Sequence, residues 1–325
     1  LDPTLLVSPA IAGVTTVVAL GLAIGRVGLP LDQPNERSLH TRPIPRIGGF
    51  ALVPATLLAW ALLPAGPGAT LWAATLALFV LSGLDDVRGL PVVLRFAAHL
   101  AAAALVVRDV LDASHGIGTM ALATLACAWM INLYNFMDGS DGLAGGMALI
   151  GFGTYGAGAW MGGDVALAAT CWSVAAAAAG FLVFNFPPAR VFLGDAGSIP
   201  LGLLAGTLGL LGWTRGLWPA WFPVLVFSPF VVDASTTLAR RLVRGERIWQ
   251  AHRQHYYQRL VQLGWGHRNT ALAEYALMLA CGGLGLLAIG RPDTTQAAIV
   301  GMAAVAYGVL MRCVDVGWKR RAAQT

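Results

Sequence analysis

The stretch Thr124-Leu125-Ala126-Cys127-Ala128-Trp129-Met130-Ile131-Asn132-Leu133-Tyr134-Asn135-Phe136-Met137-Asp138-Gly139-Ser140-Asp141-Gly142-Leu143-Ala144-Gly145-Gly146 decides the fold. An apolar run ends in two amides and two carboxylates interleaved with glycines, and a second apolar run begins. Asn132 and Asn135 are three residues apart, which puts them on one helical face. The flanking runs, 117–134 and 142–161, approach the ~20 residues that cross ~30 Å of hydrocarbon as helix. The reading is two membrane helices joined by a polar hinge, within an all-α integral membrane protein.

The pattern repeats along the chain. Apolar segments fall at 4–25, 49–65, 69–84, 92–107, 117–134, 142–161, 164–184, 198–213, 218–238, 270–289 and 295–312, which predicts about eleven transmembrane helices in one polytopic domain over 1–325. Of the 325 residues 57% are hydrophobic and 11% charged, and the mean hydropathy is +0.68. A soluble domain carries roughly 25% charged residues, so too few charges remain to coat a soluble surface. The first segment has no small-residue cleavage site and is expected to be retained. The net charge of +5 does not point to nucleic acid, because the basic residues sit between apolar runs without a stripe of interleaved aromatics. Cys127, Cys171, Cys281 and Cys313 lie in or beside apolar segments with no CxxC spacing and are expected to be plain packing residues. With the N-terminus placed outside, in the periplasm, about 18 of the 21 Lys and Arg fall inside and only Arg108, Arg215 and Arg291 outside. The C-terminus is then cytoplasmic. So are residues 26–48, 85–91, 135–141, 185–197 and 239–269, the segments that carry every polar motif.

Five motifs stand out. Asp85-Asp86 closes the third segment; two carboxylates at a membrane boundary are costly unless a cation holds them, although a solvated helix end is the plainer account. In the hinge quoted above, Asn135, Asp138 and Asp141 supply hard oxygen atoms of the kind Mg²⁺ takes together with substrate phosphates. Phe192-Leu193-Gly194-Asp195-Ala196-Gly197-Ser198 precedes a helix, so Asp195 reads as a metal ligand or a helix cap, and Phe192 as a face for a nucleobase. His252-Arg253-Gln254-His255-Tyr256-Tyr257-Gln258-Arg259-Leu260 lies in the longest inside loop, about 239–269. Its arginines and histidines suit a diphosphate and sugar hydroxyls, or an anionic lipid surface. The loop from Pro34 to Gly49 carries Arg37, Arg42 and Arg46, as phosphate contacts or as ordinary inside flanking. His99, His115 and His267 stand alone and are expected to be structural. Asp233 has no evident partner.

In order and spacing, Asp85-Asp86, Asn132-x-x-Asn135-x-x-Asp138-Gly139-x-Asp141-Gly142 and Phe192-x-Gly194-Asp195-x-Gly197-Ser198 resemble the polyprenyl-phosphate N-acetylhexosamine-1-phosphate transferases. The resemblance implies the roles that follow. Asn135 and Asp195 match Mg²⁺ ligands, Mn²⁺ being a substitute ion, with a UDP diphosphate completing the shell. Phe192 matches a residue that packs on uracil, and Asp141 one near the uracil edge. Asp85 matches a carboxylate that handles the lipid phosphate, with Asp86 and Asp138 as supporting acids, and Arg46 lies where a basic residue is common. The partners implied are a UDP-N-acetylhexosamine, undecaprenyl phosphate and the bilayer of a bacterial inner membrane, with room for a homodimer. The muramoyl-pentapeptide enzymes of the family carry three histidines in the last loop. This chain has His252, Arg253, His255 and Arg259 there instead, which resembles the branch that starts O-antigen-type glycans. A UDP-MurNAc-pentapeptide phosphotransferase of peptidoglycan synthesis is the alternative within the family; an ion-coupled transporter is the alternative from a different class, but it would place acids near the bilayer midplane, whereas these map to one face. An intramembrane aspartyl protease would need two acids facing each other within helices.

Overall fold

A computed structural model describes residues 4–26, 30–34, 39, 42–247, 250 and 252–323. Thirteen helices among the described residues make up almost all of the regular structure: α1 Thr4–Ala23, α2 Gly48–Ala61, α3 Ala69–Arg88, α4 Val92–Val110, α5 Gly116–Phe136, α6 Leu143–Met161, α7 Val165–Asn185, α8 Asp195–Thr214, α9 Trp221–Val226, α10 Ser228–Val243, α11 Tyr256–Leu260, α12 Gly266–Ala288 and α13 Asp293–Ala322. A π-helical turn over Val261–Trp265 joins α11 to α12. Every apolar segment read from the sequence lies on helix. Among the described residues six helices are long and apolar enough to cross a membrane (α3, α5, α7, α8, α13 and the stretch Tyr256–Ala288), with Val7–Ala23 and Gly48–Ala61 as shorter apolar helices. Helices suit a bilayer because each satisfies its own backbone polar groups.

The ninth segment, expected as one span over 218–238, is two helices meeting at Phe227. Pro229 has no N–H to donate and cannot continue a helix across this point. The Leu225 carbonyl accepts the Ser228 hydroxyl instead, at 2.6 Å.

The bundle is built on α7 and α8. Helices α1 and α6 pack along α7, and α3 and α5 along α8. Small residues set the closest approach: at the α1–α7 crossing, a Cβ on Gly180 would sit 2.6 Å from the Gly13 carbonyl oxygen. Helix α13 is peripheral, with only Ile299 and Tyr307 buried along it.

A small strand system was not expected. β1 (Leu31–Asp32) pairs antiparallel with β2 (Ile44–Pro45). Arg46 then bridges in parallel to Phe192, and the amides of Gly48 and Gly49 donate to the carbonyls of Phe192 (2.9 Å) and Leu193 (2.8 Å). These bonds bind the start of α2 to the start of α8. Gly48 and Gly49 allow it, since a Cβ on either would overlap the backbone of residues 192–197. Arg37, read above with the basic loop, lies outside the described residues.

Candidate active site

Helix α3 ends in a left-handed Gly89 (φ 67°), a conformation that glycine adopts without strain. The turn folds the chain back so that the Leu90 amide donates to Asp85 Oδ1 at 2.5 Å. It also aims Arg95, in the first turns of α4, at the same carboxylate: Arg95 Nη1 lies 2.7 Å from Asp85 Oδ2 and 3.5 Å from Asp195 Oδ2. The Asp85 side chain is only 7% exposed, so both its oxygens are engaged away from water. Asp86 turns the other way and accepts the Ala196 amide at 3.1 Å, where the first, unpaired N–H groups of α8 favour an anion.

Asp195 opens α8. Asn135, in the last turn of α5, donates Nδ2 to Asp195 Oδ1 (2.9 Å) and to Ser198 Oγ (3.0 Å). Residues from two distant motifs therefore touch. Asp138, just past α5, lies within electrostatic reach of Asp195, Asp86, Asp32 and Arg46. Burial, reinforced by the charge of Asp195, pushes its carboxyl well above the usual carboxylate range. Arg46 reaches the cluster from β2 and pairs with Asp32 at 2.6 Å. Five acids thus share one end of the bundle with two arginines, and a cluster short of positive charge is suited to a cation.

The loop after Asp138 is fixed separately. Asp141 Oδ2 accepts the Ala189 amide (2.9 Å), and Asn185 Oδ1 accepts the amide of Gly142 (2.9 Å). The Tyr275 hydroxyl donates to the Gly142 carbonyl (2.6 Å). His267 is not alone: Nδ1 is 2.9 Å from Ser140 Oγ and accepts the Asp141 amide at 3.3 Å. Phe192 is half-buried on the bridge to Arg46.

The fourth motif reaches this loop through Tyr257, whose hydroxyl donates to the Phe136 carbonyl (3.2 Å) and lies against Gly139. His255 and Arg259 face inward. His255 is 3% exposed, bonds Asp233 at 3.2 Å and stacks near Phe136. Arg259 is 7% exposed and pairs with Asp315 at 2.9 Å. Arg253 is exposed, and His252 packs on the His255 ring with centroids 4.8 Å apart. Burial, with His255 and Arg241 nearby, lowers the His252 pKa to about 4. Asp233 is the partner of this loop, accepting the amides of Tyr256 (2.9 Å) and Tyr257 (3.0 Å). Sequence reasoning missed Arg95, His267 and the partners of Asp233. Arg95 carried a signal, since an arginine inside an apolar helix implies an anion beside it.

Comparison with known proteins shows what the chain is similar to. Residues 69–212 match the glycosyl transferase family 4. A probable undecaprenyl-phosphate N-acetylglucosaminyl 1-phosphate transferase of Bacillus subtilis is 29% identical over 288 residues, 82% of this chain and 80% of that protein. An undecaprenyl-phosphate alpha-N-acetylglucosaminyl 1-phosphate transferase of Yersinia pestis is 29% identical over 328 residues, 93% of this chain and 88% of that protein. A phospho-N-acetylmuramoyl-pentapeptide-transferase of a Geobacillus species is 32% identical over 174 residues, 53% of this chain and 52% of its own.

Proposed function

Because this chain belongs to glycosyl transferase family 4, among the polyprenyl-phosphate N-acetylhexosamine-1-phosphate transferases, we propose that it moves an N-acetylhexosamine-1-phosphate from a UDP-sugar to undecaprenyl phosphate at the cytoplasmic face of the inner membrane. The products are polyprenyl-diphosphate-linked sugar and UMP. The place of the reaction is the first membrane step of O-antigen or related cell-envelope glycan synthesis. The observation that carries this reading is the meeting of Asn135 with Asp195, 2.9 Å apart, beside Asp86, Asp138 and Arg95.

The donor set fits Mg²⁺, with Mn²⁺ as a substitute. Carboxylate and amide oxygens are its preferred ligands, and it binds through one or two protein groups plus substrate phosphates. Among the described residues no group of three or more His, Cys, Asp or Glu is gathered to hold a metal ion, so substrate phosphates would have to complete the shell. Asn135 and Asp195 would hold the ion, the amide presenting its oxygen on rotation. When bound, the ion supplies charge neutralisation at the diphosphate.

An oxygen of the acceptor phosphate attacks the β-phosphorus, and the bond from that phosphorus to the bridging oxygen breaks, so the oxygen leaves on UMP. A phosphate monoester has its second pKa near ~6 and is largely a dianion at neutral pH, so little base catalysis is required. Arg95 and Arg46 bring positive charge to the cluster, and Arg253 is exposed in the loop before α11. Asp85 is ill placed to form a phosphoenzyme, because Leu90 and Arg95 engage both of its oxygens; this favours a single in-line displacement.

The test uses purified protein, undecaprenyl phosphate and a panel of radiolabelled UDP-N-acetylhexosamines, including UDP-MurNAc-pentapeptide. Labelled lipid and UMP are expected with Mg²⁺ and not with EDTA. No Mg²⁺-dependent labelled lipid from any donor ends the proposal.

A further inference from the structure

Helix α13 has 30 residues, about 45 Å of helix against a hydrocarbon core of ~30 Å. Its membrane-facing length is lightly attached. Only Ile299 and Tyr307 are buried along it; the Tyr307 hydroxyl is 2.7 Å from Ser228 Oγ, and Trp221 Nε1 donates to Gln296 at 2.9 Å. Its final turns are gripped far more tightly. Asp315 accepts Arg240 Nη1 on both oxygens (3.0 and 2.9 Å), Arg259 Nη1 at 2.9 Å and the Tyr256 hydroxyl at 3.3 Å. The Arg259 guanidinium lies over the rings of Tyr256 (5.0 Å) and Trp318 (5.7 Å).

Helix α11 has only five residues, and the turn that joins it to α12 leaves helical geometry at Gly264 (φ 99°), so its own backbone bonds do little to fix it. Two carboxylates hold it. Asp233 takes the amides of Tyr256 and Tyr257 at its start, and Asp315 takes the side chains of Tyr256 and Arg259. Neighbouring side chains on this short helix then point opposite ways. Tyr256 reaches to Asp315, while Tyr257 reaches to the Phe136 carbonyl and closes against Gly139, where a Cβ has no room.

We propose that Asp315 is a positioning residue: from the last helix it clamps Arg259, Arg240 and Tyr256, and through α11 it seats Tyr257 against the Asp138-Gly139 loop. The mechanical part stands on the contacts alone; its consequence for turnover rests on the transferase reading above. The C-terminal helix is thereby a strut for the site, although none of its residues belongs to the acid cluster.

The experiment compares wild type, Asp315→Asn, Asp315→Glu, Arg259→Lys and a control, Lys319→Gln, by amide hydrogen exchange in detergent and by donor saturation kinetics. Loss of one charge-assisted clamp speeds local opening by about tenfold. Asp315→Asn and Arg259→Lys are therefore expected to speed exchange over 255–260 by that factor while α7 exchanges as in wild type. The donor KM rises several-fold with a smaller fall in kcat, and Asp315→Glu recovers most of both. Arg259→Lys keeps the charge, so it carries the test should Asp315→Asn fail to fold. Exchange over 255–260 equal to wild type, or raised equally in α7, overturns the clamp. A wild type inactive on every donor overturns the transferase reading, and the exchange result still decides the clamp.

Discussion

Arg95 is the only side chain that bonds Asp85 and pairs with Asp195 among the described residues, at 2.7 and 3.5 Å. Removing one member of a buried pair leaves the other charged and unpaired, at about 3–5 kcal/mol when burial is complete. The Arg95 side chain is 32% exposed, so solvent screening reduces the figure. Arg95→Gln is expected to destabilise by about 2–3 kcal/mol and to lower kcat by at least about tenfold. With Asp85→Asn added, the double variant should be more stable than the sum of the single effects requires; simple additivity in thermal unfolding would show that the pair is not coupled. Asp138 gives a pH signature. Its carboxyl is held above the ordinary 3.8 by burial and by Asp195, so above that value the folded protein binds more protons than the unfolded chain. Stability of the metal-free protein then falls as pH rises from about 4 until the raised pKa is passed. In EDTA the melting temperature should drop with rising pH across this window. Asp138→Asn should flatten the slope, and Mg²⁺ should reverse it, because a cation favours the ionised form. A slope in Asp138→Asn equal to wild type would assign it to other groups.

At the scale of elements, the crossing of α2 over the start of α8 depends on two glycines facing each other. A Cβ on Gly49 would overlap the backbone of Ala196 and Gly197, while Gly153 in α6 has no heavy atom within 4 Å of its would-be Cβ. Gly49→Ala is expected to cost at or above the upper end of the about 1–3 kcal/mol typical of overpacking, since backbone and not a flexible side chain must move. The acid cluster should fail with it, because Asp195 and the Ala196 amide ride on that helix start. Gly153→Ala should leave both stability and turnover near wild type. A melting curve for Gly49→Ala within a degree of wild type would disprove the close crossing. This contact was illegible in the sequence. Gly48-Gly49 and Gly194-x-x-Gly197 read locally as turns, and nothing local says that the two turns meet. The helices themselves were legible because lipid demands long apolar runs, and so was the Asn135 hinge, whose polar residues interrupt them. The break at Phe227 was written in Pro223 and Pro229 but hidden within a continuous apolar run. His255 and Arg259 illustrate a second limit: their residue types suit a phosphate, yet the fold pairs them with Asp233 and Asp315, acids that lie far off in the chain.

For the whole molecule, the helix ends divide into two sets. The ends of α3, α5 and α7 and the starts of α4, α6, α8 and α12 meet around Asp85, Asp138, Asp195, Asn185 and His267. At the far end, Arg215 after α8 pairs with Asp164 before α7 at 2.7 Å. A bundle crossing a bilayer must put these two ends on opposite sides, since its helices alternate in direction. The charge distribution sets the expectation for which side is which: Arg108, Arg215 and Arg291 belong to the far end, whereas Arg88, Arg95, the run from Arg240 to Arg259 and Lys319-Arg320-Arg321 crowd the site end, and an excess of basic residues marks cytoplasmic loops. Single cysteines placed at Arg88, Arg215, Arg291 or Lys319, in a chain whose four native cysteines are replaced, test this directly. The exposed Cys313 is the one that would otherwise confuse the labelling, since Cys127, Cys171 and Cys281 are buried. On intact cells a membrane-impermeant maleimide should modify positions 215 and 291 and spare 88 and 319, and after permeabilisation it should modify all four. Labelling of 319 on intact cells would turn the molecule over, and with it would go a site fed by a cytoplasmic nucleotide. Labelling of 88 and 319 on different sides would be worse for the reading, because it would separate the acid cluster from the clamp on Asp315 that the fold brings to one end.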